Sequence, residues 1–499
     1  MKRFLAAEQF RSPWIWMALA PAAIIAGWLA SVLAASPTLM AAAAGAFLLA
    51  VFAAVSIHRP LVFVVVFLVI LIVLPPFFFS RFGETPIYVS TFLAPIGLAI
   101  VLARLPDFRF QLDPIAKGLG LFLAATALSL PFAFWFSSVE VGNASTFRWL
   151  LVAQAALIYL LVRGGAPARE GRAERGLLPI LLTAATFSAA YGIVDFYWPI
   201  ALPHPAADQY IWLGSGVLRR AQGVIYEASS FANLCGFFLL IVSAAFLTRQ
   251  ERVIGIARPW LLLLIPILSL AVFVSFSRSS WGNVAAGLLA FALITGKARF
   301  RRGAVLLLAL AVPLGVLWFY TPELWGYLVN ARLGYLAQIF SDPNLASSGR
   351  SETWTRVLAI IQDHPQYLVI GVGYKTLPYT RLFREEIITD NGYLSLLLET
   401  GVLGLGSFLL LSAAILRTFG KLARQSERSL SFWSALLFSF WCGELVHMLA
   451  ADAHTYWRNM VLFLAMMAFT LNRAERAGLL AGRGGNSPFA AVLRRQVKP

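Results

Sequence analysis

The strongest constraint on this chain is a succession of apolar runs, each close to bilayer length. About 20 helical residues cross a hydrocarbon core of roughly 30 Å. Fourteen runs qualify, at about 14–36, 38–57, 61–79, 87–103, 115–137, 147–163, 177–200, 223–248, 259–277, 281–296, 304–320, 392–416, 431–450 and 457–472. With 60% hydrophobic and 13% charged residues, the chain lacks the polar surface a soluble protein needs. In lipid every backbone polar group must be paired within the protein, so the runs are expected as helices. The expected fold class is an all-α polytopic membrane protein of about 14 transmembrane helices. The first run follows Lys2, Arg3 and Arg11 and exceeds a signal-peptide core, so it reads as a retained span.

The connecting segments give an orientation. If the N-terminus is inside, 28 of the 40 lysines and arginines fall on inside segments, which fits N-in, C-in and an even number of spans. The net charge of +17 is then mostly a topology signal facing anionic headgroups. No nucleic-acid-binding motif accompanies it. Trp14, Trp198, Trp260, Trp281 and Trp457 sit at run ends, as interfacial anchors do. Cys235 and Cys442 lie singly in apolar runs and read as small buried hydrophobes.

One outside segment is long. It divides the chain into helices 1–11 (1–320), an extracytoplasmic loop (321–391), helices 12–14 (392–472) and a basic cytoplasmic tail (473–499). Loops of this length usually carry function. Within it, SSGRSETWTRVLAIIQDHP predicts an amphipathic helix, with Trp354, Val357, Leu358 and Ile361 at i, i+3, i+4, i+7. Ser347 or Ser348 could cap it, and Pro365 lies just beyond its end.

Charges at membrane depth or rim are costly and usually functional. Arg219 and Arg220 precede run 8, and Asn233 lies inside it; snorkelling and helix–helix bonding are the alternatives to a site role. Arg278 sits in a tight turn on the outside, where cations are disfavoured, so topology alone does not explain it. The long loop adds Arg350, Arg356 and His364, the last also readable as a helix-end residue. Asp390 and Asn391 stand at the mouth of run 12, and Glu399 lies two turns inside it, as a site residue or a structural acid. Gly401, Gly404 and Gly406 read as a close helix-packing face. Arginine binds phosphate bidentately, so a ring of outside arginines suits an anionic lipid-linked substrate. A Walker loop, a dinucleotide fingerprint and HExxH are all missing, so no ATP, NAD or zinc chemistry and no cofactor is expected.

The pieces RAQGVIYEASSFAN, SFSRSSWGN, SGRSETWTRVLAIIQDHPQYLVIGVGY and DNGYLSLLLETGVLGLGSF, in that order, resemble the O-antigen ligase and O-antigen polymerase superfamily of polytopic glycosyltransferases. The resemblance implies a GT-C-like fold in the bacterial cytoplasmic membrane, with the site on its extracytoplasmic face. It implies metal-independent transfer of a glycan from an undecaprenyl diphosphate carrier to a glycan or lipid-linked acceptor hydroxyl. The diphosphate would be held by Arg220 and Arg278. Ligases of the family carry a His where this chain has Asp390, which favours a polymerase or another branch. A carboxylate can still take the acceptor proton, as in inverting glycosidases. Asp390 is then the expected base, and Asn391 orients it or the sugar.

A ligase using Asp for His, or a protein O-oligosaccharyltransferase, is the second reading. A transporter or flippase is the third. The outside concentration of arginines and the long loop argue against the third, because transporters place polar groups at mid-membrane in paired repeats.

Overall fold

The computed structural model describes residues 37–82, 85–104, 112–165, 173–198, 200, 210–213, 216–296, 349–382 and 387–480. The runs at 14–36 and 304–320, the first part of the long loop and the tail beyond 480 lie outside the described residues. The chain divides into two compact units, Met1–Phe63 and Val64–Pro499. In the first, alanine-rich α1 (Pro37–His58) uses the best helix former. It stops before Pro60, whose ring excludes the preceding residue from helix and then opens α2 (Pro60–Val73).

The second unit is predominantly helical. α2 ends in a short hairpin, β1 (Phe77–Phe82) with β2 (Thr85–Ile87), before α3 (Val89–Ala103). α4 (Pro114–Leu128) starts with proline at its first position, and Asp113 caps it by accepting from Ile115 N (3.0 Å) and Ala116 N (2.8 Å). α5 (Leu130–Phe136), α6 (Val139–Gly165) and α7 (Ala173–Tyr197) follow. A second hairpin, β3 (Tyr210–Leu213) with β4 (Gly216–Arg219), leads to α8 (Ala228–Thr248). A single turn, α9 (Glu251–Ile254), then α10 (Arg258–Val274), α11 (Arg278–Thr295) and the loop helix α12 (Arg350–Asp363) complete the middle of the chain. α13 (Gly392–Leu422), α14 (Arg428–His447) and α15 (Trp457–Arg476) close it.

α8 is apolar on every face and buried along nearly its whole length, as expected of a central helix. It packs against α7, α10, α11, α14 and α15. α13 lies on α4 and α14, and α15 on α6. Aromatic pairs lock the centre, with Trp441 stacked on Phe463 (5.3 Å) and Phe237 edge-on to Phe440 (4.8 Å). Gly443 on α14 meets the Asn283 backbone of α11 with no room for a side chain, which brings these two helices together.

Among the described residues six helices are long and apolar enough to cross a membrane: Pro114–Phe136, Val139–Gly164, Gly176–Tyr197, Ala228–Thr248, Gly392–Leu422 and Arg428–His447. Several expected spans differ for visible reasons. The 61–79 run stops at Val73, where the hairpin begins. α10 is a 17-residue helix, and α15 carries Arg458, Arg473 and Arg476. Trp198 and Trp260 are strongly exposed, as anchors would be. Trp281 instead stacks on Phe273 and Trp457 is buried. Cys235 and Cys442 are unpaired.

Polar contacts gather at two ends of the bundle. At one, Arg163 pairs with Asp113 (3.0 Å) and Glu475 (3.2 Å), and Arg473 with Glu427 (2.9 Å). At the other lie Arg219–Asp195 (2.9 Å), Arg350–Asp390 (3.2 Å) and Lys375–Asp452 (2.7 Å).

Candidate functional site

The site is built at the second of these ends, from the starts of four helices and the segments leading into them. α10 stops at Val274, and Ser275–Ser277 make a turn in which Phe276 takes a left-handed conformation (φ 52°). Ser277 caps α11, its hydroxyl accepting from Ser280 N (3.4 Å). Arg278 is therefore the first residue of α11, at the positive end of the helix dipole. The Ser280 hydroxyl donates to Ser229 O (3.2 Å), tying the start of α11 to the start of α8.

Arg220 is fixed by the turn after α10 and by the start of α8. Its Nε donates to Ser275 O (2.8 Å) and an Nη to the Ser229 hydroxyl (3.3 Å). Burial lowers its pKa, while Glu227, Tyr456 and Asp390 favour the charged form and Arg350 opposes it. Arg350 also lies within electrostatic reach of Arg278. Arg220 and Arg278 thus each lie within reach of Arg350, which pairs with Asp390, while Glu227 is the carboxylate that acts most strongly on Arg220.

The loop helix supplies Arg350. α12 starts after Gly349, which is left-handed (φ 87°), rather than after a capping serine. Its apolar face is Val357, Ile360 and Ile361, packed on Val372, Leu377, Ile387 and Leu398. Leu358, expected on that face, is 51% exposed. Trp354 donates its indole N–H to Thr389 O (2.8 Å), which seats the segment before α13. There Asp390 is left-handed (φ 43°), a conformation that Asp tolerates better than most residues. Its carboxylate remains half-exposed and accepts from Arg350 Nε at 3.2 Å. Asn391 next to it is buried and caps α13, accepting from Tyr393 N (3.1 Å) and Leu394 N (3.2 Å). That contact accounts for its side-chain oxygen.

α13 is broken almost three turns below its cap. Gly401 has φ 68° and ψ −171°, so residues 392–400 form a stub set off from the rest of the helix. The break frees two carbonyls, and the GVGY loop pairs with them: Val372 N donates to Leu398 O (2.9 Å) and Gly373 N to Glu399 O (3.0 Å). A Cβ at Gly371 would collide with the Glu399 backbone, and one at Gly401 with that of Val369. The expected packing role of Gly401 is thus replaced by a backbone break.

Two cavities adjoin the cluster. One, of about 240 Å³, lies against Lys375, Tyr379, Thr389, Glu399 and Asp452. The other, of about 220 Å³, is bordered by Tyr88, Glu227, Tyr456 and Arg458, and Arg148 and Lys375 form a wall of both. Burial lowers the Lys375 pKa, but Asp452 and Glu399 together outweigh it and the net shift is upward. For Asp452 burial raises the value, and Lys375, His454 and Ser395 together outweigh this to bring it down. Ser395 donates to Asp452 Oδ1 (2.7 Å). Burial raises the Glu227 pKa. Glu227 caps α8 through Ser229 N (3.0 Å) and Ser230 N.

The remaining sequence candidates lie apart from this cluster. Arg219 pairs with Asp195 on α7. Asn233 sits in a buried layer below the site, bonded to Glu444, His447 (3.0 Å) and Asn459 (2.7 Å). Arg356 is exposed beside Glu352 on α12. His364 is the exposed C-cap of α12, with its ring 5.7 Å from that of Tyr367. Glu399 is 2% exposed and borders the larger cavity. Sequence reasoning missed Arg148, Asp452 and Tyr456. The one local signal for Asp452 is an acid in the short ADAHTYW link between two helices.

Residues 261–409 match a family model described as O-antigen ligase. The match supports the O-antigen ligase and polymerase superfamily. It spans α10 to the upper part of α13, and so includes Arg278, Arg350, Asp390 and the broken helix. It supports membrane glycan processing of the O-antigen ligase or polymerase type. Comparison with curated proteins gives no match.

Proposed function

We propose that the protein is a lipid-linked glycan polymerase, a GT-C-like enzyme of about 14 spans working on the extracytoplasmic face of the bacterial inner membrane. The observation that carries this reading is the gathering of Arg220 and Arg278 around Arg350, whose partner is the Asp390 carboxylate. Guanidinium groups at a helix start suit a diphosphate, which they can grip bidentately. An undecaprenyl diphosphate-linked glycan would place its anomeric carbon beside Asp390. The acceptor hydroxyl oxygen bonds to that carbon as the bond to the diphosphate oxygen breaks. The hydroxyl proton passes to the Asp390 carboxylate, and the arginines hold the charge that develops on the leaving diphosphate. With arginines taking that charge the reaction needs no metal, so turnover should survive EDTA.

Asp390 at the position of the family's ligase histidine favours a polymerase over a ligase or a protein O-oligosaccharyltransferase. The test uses full-length protein in nanodiscs with undecaprenyl diphosphate and its glycan-linked form. Arg220→Lys and Arg278→Lys each keep the charge but lose the planar fork. Each should weaken undecaprenyl diphosphate binding by about tenfold or more and slow transfer. If both variants bind and turn over like the parent, the diphosphate is not read by these arginines and the proposal fails.

A further inference from the structure

We propose that the larger cavity, beside Asp390, is the subsite for one neutral sugar ring of the acceptor, oriented by Glu399 and Asp452. The identification of its occupant as an acceptor rests on the glycan-transfer reading above. Thr389 forms part of the wall, so the cavity reaches to within one residue of the proposed base. At about 240 Å³ it is smaller than the roughly 300–1,000 Å³ of pockets that enclose drug-sized ligands. That size suits a single ring rather than an oligosaccharide.

The lining has two parts. Leu377, Pro378, Ile387 and Ile388 give an apolar side for the C–H face of a sugar. Tyr379 adds an aromatic ring, with the Arg148 guanidinium 5.4 Å from its centroid. Facing them are Lys375, Asp452 and Glu399. Arg148 and Lys375 stand with two acids in the lining, so the cavity presents groups of both signs rather than a single charge that would select an anion or a cation. What it offers is fixed acceptors and donors at close quarters, the pattern by which a small polar ligand is oriented.

Glu399 points to a ligand independently. Its carboxylate lies against the backbone N–H groups of Lys375 and Leu377, yet Oε2 takes no hydrogen bond within the protein. The residue is 2% exposed and borders the cavity. A buried carboxylate oxygen left unbonded is costly, and a ligand hydroxyl donating to it removes that cost. Oδ1 and Oδ2 of Asp452 are held by Ser395 and Lys375, so Asp452 is already oriented for a second hydroxyl.

The test measures binding of methyl pyranosides of glucose, galactose, mannose and N-acetylglucosamine to full-length protein in nanodiscs by saturation-transfer NMR. Undecaprenyl diphosphate binding is measured on the same samples. At least one pyranoside should bind the parent. Ile388→Trp, which fills the cavity from an exposed rim position, and Glu399→Gln should each weaken that binding by about tenfold or more. Undecaprenyl diphosphate should bind both variants as it binds the parent. A failure of every pyranoside to bind the parent, or unchanged binding in Ile388→Trp, overturns the subsite. Parallel loss of diphosphate binding in both variants overturns it too, because the cavity would then belong to the donor. If pyranosides bind and respond to Ile388→Trp while undecaprenyl diphosphate does not bind the parent, the sugar subsite stands and the diphosphate-donor reading falls.

Discussion

Arg350 and Asp390 meet at 3.2 Å across the gap between the loop helix and the stub of α13, the first residue of one against the residue before the cap of the other. The pair aims a half-exposed carboxylate at the arginine cluster while its backbone is held left-handed. Residues kept in such sparsely populated conformations gather at functional sites.

If Asp390 takes the acceptor proton, Asp390→Asn should slow transfer by about 10²-fold or more, within the usual 10²–10⁴ of general base help. Protein yield and donor binding should stay near the parent. Asp390→His restores the residue of the family's ligases and should retain more activity than Asp390→Asn. Normal turnover in Asp390→Asn would move the base elsewhere.

The break in α13 predicts a contrast between three glycines on or beside one helix. Gly401→Ala and Gly371→Ala put a Cβ into backbone at positive φ, a strain of at least about 1 kcal/mol before any collision. Gly406 is regular helix with open space around it, where alanine is the better helix former. Thermal midpoints in detergent should fall for the first two and hold or rise for Gly406→Ala. Equal shifts in all three would show that the break is not sterically fixed.

His454 sets a pH dependence of stability. Burial pushes its pKa from 6.5 down to about 3, against the pull of Asp452. On acidification the unfolded chain takes up this proton near pH 6.5, and the folded protein holds out until about 3. The folded state therefore loses stability as pH falls through that window, by at most about 1.4 kcal/mol per pH unit. His454→Gln should flatten the decline of the thermal midpoint between pH 6.5 and 4.5. An unchanged slope would remove His454 as its source.

The two polar ends of the bundle allow a direct test of sidedness. An impermeant maleimide should label Gln362→Cys in intact cells and spare Ser426→Cys until the membrane is opened. The opposite pattern would invert the topology. Both positions are exposed, and the native Cys235 and Cys442 lie within helices.

Much of this arrangement is readable from local pattern. The 3.6-residue period finds α12 and fails only at Leu358, because the helix turns its Ile360–Ile361 edge toward the core. Arg220, Arg278, Arg350 and Asp390 stand out as charges where apolar runs begin. Their convergence is another matter, since it depends on how α8, α11 and α12 pack. Lys375 finds Asp452 77 positions away, and Arg148 donates to Lys375 O across 227 (2.9 Å). No periodicity encodes such pairs. Asn391 is instructive in the opposite sense. Beside a proposed base it reads as a substrate residue, yet Asn before an apolar helix is also the commonest of caps, and the cap is what the structure contains.

The discontinuity at Gly401 bears on how such proteins can be recombined. Because Val372 and Gly373 complete the backbone of α13, the loop and the stub make up one indivisible part, although about twenty residues of chain separate them. A chimera that swaps the segment from α12 to the GVGY turn alone would cut through this joint and leave Leu398 and Glu399 carbonyls facing foreign backbone. The natural cassette runs from the start of α12 through Gly401, and a chimera should keep the parent's thermal midpoint only when that whole block is moved.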